Sequence, residues 1–171
     1  MGSTEYYDGT TWSEAPEWDL PSPRYSHCAV VFKGSLVLIG GNMGWMDGLT
    51  DSVIRLNTRR NRWDDMERMS IALEEHACTV ATVGERQKIF VSGGRLGNIR
   101  LNANVYMFEE YRGWDKVGNL VRPRRNHVMG FSGRKFWSLD LHTQRVFHEN
   151  NEEHIFVAKI FSWIDFFFLQ N

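Results

Sequence analysis

Two cysteines and four prolines are all that 171 residues contain of either, and no Asn-x-Ser/Thr acceptor occurs. So low a thiol count excludes a disulfide-dense secreted scaffold, and the missing acceptors argue the same way. No charge dominates either. Twenty basic against 21 acidic residues leave a net charge of −1, so no long-range field draws the chain to nucleic acid or an anionic membrane. The most apolar stretch, residues 155–170, includes Lys159 and Asp165; it is too short and too charged for a membrane span. No signal-peptide pattern opens the chain, and position 6 lacks the Ser or Thr of a myristoylation site. The expected compartment is the cytoplasm.

Chemistry-bearing motifs are equally scarce. There is no G-x-S-x-G and no phosphate-cradling glycine loop. The acid pairs Asp64-Asp65, Glu74-Glu75 and Glu109-Glu110 fall at loops and turns, where solvation accounts for them. His27 and Cys28 are metal-ligand types, yet strand neighbours point to opposite faces and cannot share one ion. No catalytic residue, metal or cofactor is expected. Cys28 and Cys78 read as two buried free thiols, because a bridge would need their Cα atoms within about 7 Å.

What the chain has is repetition. Trp12, Trp63 and Trp114 stand 51 residues apart; His27, His76 and His127 recur at 49 and 51, and Gly40-Gly41 and Gly93-Gly94 at 53. Three markers agree on a period of about 50. Within it, HCAVVFKGSLVLIGG and HACTVATVGERQKIFVSGG each read as a β-hairpin with a glycine turn, and SVIRLNTRRNRW and NVYMFEEYRGW as a second hairpin. Four short strands per period make one propeller blade. Each diglycine ends a strand where a Cβ would clash or a positive φ is needed, and Trp63 and Trp114 are large enough to fill the space between sheets.

On these residues the chain resembles the Kelch family, whose blade has a diglycine after the second strand, then a tyrosine and a tryptophan on the outer strands. The resemblance covers roughly residues 3–140. Tyr106 matches the tyrosine, Arg55 taking its place in the first blade, and Pro23-Arg24-Tyr25-Ser26-His27 and Pro123-Arg124-Arg125-Asn126-His127 match the approach to the innermost strand. The expected fold is all-β, a partial propeller of about three four-stranded antiparallel blades whose ring this chain alone does not close. Residues 1–15 would be the last hairpin of a preceding blade, 16–66 and 67–117 whole blades, and 118–171 a degenerate or truncated third with a Phe-rich tail. Leu139-Asp140 stands where the third diglycine belongs. Either residues 141–147 then form the next strand, or Trp163 closes the blade, the reading that keeps the tryptophan spacing.

The family often binds peptides with residues just after the diglycine and just before the innermost strand. Carried over, these are Asn42, Arg95, Tyr25, Ser26, Glu74, Glu75, Arg125 and Asn126, with Trp45 as an apolar anchor. Arg122, Arg124 and Arg125 form a basic cluster on the same connection. The resemblance implies a non-catalytic module for a protein or peptide partner and, among many relatives, a substrate-recognition role in ubiquitin ligases; the unclosed arc leaves apolar sheet faces uncovered, from which possible self-association is expected. A Kelch-propeller enzyme fragment, or a truncated product without independent function, is the alternative.

Overall fold

A computed structural model describes residues 2–44, 48–97 and 100–140. Met1–Leu139 form one compact unit and Asp140–Asn171 another, of which Asp140 alone is described. The expectations for residues 141–147, Trp163 and the Phe-rich tail lie outside the described residues.

The described residues of the first unit are all-β apart from one 3-10 turn at Pro16–Trp18. A hairpin of β1 (Glu5–Tyr7) and β2 (Trp12–Glu14) precedes the first whole sheet. That sheet contains β3 (Cys28–Phe32), β4 (Ser35–Ile39), β5 (Val53–Asn57) and β6 (Arg62–Asp65), antiparallel and in chain order. The second runs through β7 (Ala77–Val83), β8 (Arg86–Ser92), β11 (Asn104–Glu109) and β12 (Gly113–Asn119), with the two-residue pair β9 (Arg95–Leu96) and β10 (Arg100–Leu101) in the loop between β8 and β11. β13 (His127–Ser132) and β14 (Lys135–Asp140) make a last hairpin. Lys33 and Gly34 both take positive φ in the two-residue turn joining β3 to β4, the geometry that matches strand twist.

The core lies between the two whole sheets. Phe32, Val37, Ile39 and Val53 of the first meet Ile89, Val91, Tyr106 and Phe108 of the second, with Met69 and Leu73 of the connection between them. Each such buried side chain contributes about 1.5–3 kcal/mol. Phe32 and Phe108 meet edge to face at 6.0 Å, and the Lys33 ammonium of the first sheet reaches Glu110 of the second. Trp63 donates its indole N–H to the Trp18 carbonyl and Trp114 to that of Glu67, each at 2.9 Å. Each tryptophan thereby ties its outer strand to the segment preceding its own sheet.

Two expectations change. Leu56 opposes Trp63 and Phe108 opposes Trp114, so Ile54, two residues before Leu56, is the counterpart of Tyr106. The first outer turn is one residue longer, and counting back from the tryptophan therefore lands on Arg55. Arg55 instead lies 5.6 Å from the Phe32 ring and 3.9 Å from Glu110. The cysteines are also not free. β3 and β7 run side by side, Cys28 and Cys78 have a Cα separation of 6.0 Å, and they are joined in a disulfide. The cysteines thus no longer support a reducing compartment.

Candidate partner-binding loop face

The three connections into the innermost strands share one backbone form. Ser26, Glu75 and Asn126, each directly before a repeat histidine, have φ of 53°, 57° and 50°. For non-glycine residues that region costs roughly 1–2 kcal/mol. A hydrogen bond between neighbouring repeats offsets the cost at each step: the Glu75 N–H donates to the Ser26 carbonyl at 2.9 Å and the Asn126 N–H to that of Glu75 at 2.8 Å. Nothing in the residue types announces this ladder. The signal was positional, one residue ahead of each histidine.

The diglycines hold the loops against it. Gly41 N–H donates to the Leu73 carbonyl and Gly94 N–H to that of Arg124, both at 2.8 Å. A Cβ on Gly93 would meet the Arg124 carbonyl at 2.5 Å and the His127 ring at 2.6 Å. The loops after β4 and β8 then fold back, and Tyr25 bridges Asn42 as Glu74 bridges Arg95.

Side chains extend the arrangement across repeats. Asn42 donates to Glu74 at 3.1 Å; Arg95 Nε donates to Glu74 at 2.8 Å and lies 3.8 Å from Glu75; Arg125 reaches Glu75 at 3.0 Å. Glu74 is buried, whereas the Arg125 side chain is 47% and Tyr25 56% exposed. Hydrogen bonding to Glu74 raises the Arg95 pKa above its ordinary value. The guanidiniums of Arg95 and Arg125 are therefore already engaged with acids of the chain itself. Tyr25, Ser26, Asn42, Glu74, Glu75, Arg95, Arg125 and Asn126 come together, while Trp45 lies outside the described residues. Arg124 serves structure instead, donating to the Ser138 carbonyl at 3.0 Å, as Arg24 donates to the Ser52 hydroxyl at 2.9 Å.

Beneath the ladder sits His76. Burial pushes its imidazole down from 6.5 to about 4, against the Ile39 carbonyl, which favours the charged form, and nearby His27 and His127 lower it further. Burial lowers His27 as well. Folded His76 resists a proton that the unfolded chain accepts, so stability present above pH 6.5 is lost as pH falls towards 4, by about 3 kcal/mol for His76. Urea titrations at pH 7.5 and 4.5 should show that loss, and His76→Gln should flatten it. An unchanged pH slope in the variant would assign the titration elsewhere.

Among the described residues no His, Cys, Asp and Glu cluster is arranged to hold a metal, and no helix is long and apolar enough to cross a membrane. A Kelch motif matches residues 23–70. No curated protein matches the chain. The solved structure of YjhT, a Kelch-type propeller, is similar in fold, with a TM-score of 0.63 at 15% identity over 80% of this chain and 51% of that one. This chain thus spans about half the length of that structure. A Kelch motif at residues 23–70 and a second sheet built to the same plan thus go with an all-β fold of propeller-type blades.

Proposed function

We propose that the chain is a protein-interaction module that takes a mixed-charge peptide segment across its loop face. The observation carrying this reading is the alternating row Asn42, Glu74, Arg95, Glu75, Arg125, which joins the repeats and is flanked by exposed Tyr25. Such a row offers a partner both signs at fixed spacing on a rigid base, and complementary charge favours register and on-rate. Tyr25 supplies the apolar contact area typical of binding centres. A purely acidic ligand is disfavoured, because Glu74 and Glu75 already hold the guanidiniums.

A displayed peptide library selected on the immobilised chain supplies the probe. Tyr25→Ala and Arg125→Ala should each weaken a selected mixed-charge peptide by roughly tenfold. Both side chains are at the surface, so the melting temperature should change little. Arg59→Ala/Arg60→Ala, on the outer turn between β5 and β6, should bind as the parent does. Peptides held equally by the parent and both face variants would move the interface elsewhere.

A further inference from the structure

We propose that the Cys28–Cys78 bridge is a redox switch for the loop face: a dithiol reductant opens it in the folded chain and loosens the first repeat from the second there. The bridge stands at the root of that face. Cys28 follows Ser26 by two residues and Cys78 follows Glu75 by three, and the Glu75 N–H donates to the Ser26 carbonyl at 2.9 Å. The same junction is crossed by the Gly41 N–H, bonded to the Leu73 carbonyl at 2.8 Å, and by the Asn42 amide, bonded to Glu74. Ser26 and Glu75 both hold positive φ, a conformation that persists only where its surroundings enforce it.

The next junction shows that the ladder forms without a bridge. Gly94 donates to the Arg124 carbonyl and Asn126 to that of Glu75, both at 2.8 Å. Yet Ala77 and Met129 stand where the first junction has Cys28 and Cys78, one and two residues after the repeat histidine. The covalent link is thus additional to what joins neighbouring repeats, and the core between the two whole sheets still holds them when it opens. Neither cysteine is fully buried, and an accessible bridge is the kind a thiol can reach. One thiolate of the reductant attacks a sulfur of the bridge, forming a mixed disulfide and releasing one cysteine; its second thiol then displaces the other. Two electrons and two protons pass to the chain, which ends as two thiols, and the reductant ends as its own disulfide. Tyr25 and Asn42 belong to the first repeat and Glu74, Glu75 and Arg95 to the second, so opening the bridge relaxes their spacing. A mixed-charge peptide then binds less tightly, a consequence that rests on the reading proposed above.

Dithiothreitol added to the folded chain, followed by iodoacetamide, should place two adducts on it at a rate well above that of global unfolding. Amide hydrogen exchange on the reduced chain should quicken at Gly41 and Glu75 by at least about tenfold more than at Gly94 and Asn126. Cys28→Ser/Cys78→Ser should reproduce this pattern without reductant. Equal quickening at both junctions, or outright unfolding on reduction, would make the bridge a staple for the whole chain and overturn the switch. So would a bridge that dithiothreitol opens only as the chain unfolds, or exchange that reduction leaves unchanged. A selected peptide that binds the oxidised and reduced chains equally would overturn the control of binding. Failure to select any peptide overturns the binding reading alone, because the exchange readouts need no ligand.

Discussion

Gly93→Ala should destabilise the chain by about 2–5 kcal/mol. The positive φ of 65° costs roughly 1–2 kcal/mol for any residue with a Cβ. Overpacking adds about 1–3, because the new carbon meets the Arg124 carbonyl at 2.5 Å and the His127 ring at 2.6 Å. Both obstacles belong to the next repeat, so the substitution pries the second sheet from the β13–β14 hairpin. Gly133→Ala is the control. It has φ of 58° with open space around it and should lose only the conformational part. Denaturant titrations that return equal losses for the two would mean that close approach between repeats is not what Gly93 provides.

Removing the Cys28–Cys78 bridge should cost about 4 kcal/mol on the chain-entropy account, because it closes a loop spanning 50 positions. Against a typical domain stability of about 5–15 kcal/mol, reduction would bring the chain near its folding threshold. The check is thermal or urea unfolding with and without reductant, beside a Cys28→Ser/Cys78→Ser variant. Unfolding curves indifferent to reductant would return the cysteines to the free thiols that the sequence suggested.

The repeat was legible because tryptophan, histidine and diglycine each answer to a local demand: filling space between sheets, opening an inner strand, and letting backbones approach. All-β architecture followed from that and from the strand-like apolar runs. What failed depended on small length differences or on neighbouring repeats. One extra residue in the first outer turn shifted the counterpart of Tyr106 from Arg55 to Ile54. The bridge could not be read because it depends on how closely β3 and β7 run. At the loop face the residue set was readable from position in the repeat, but its internal ion pairing was not. Glu75 meets Arg125 across 50 residues of sequence, and no local pattern announces such a partner. Arg124 looked like part of a basic binding cluster for the same reason; its acceptor is on a strand that follows 14 residues later.

The bridge has a consequence for proteolysis. Cys28 and Cys78 enclose all of β4, β5 and β6 together with the loop after the first diglycine. A protease that cuts once anywhere between them yields two fragments still covalently tied, migrating together on a non-reducing gel and parting only with reductant. Such a cut relieves the strand connection without releasing either piece, so the first sheet can keep its cross-strand hydrogen bonds after its chain has been broken.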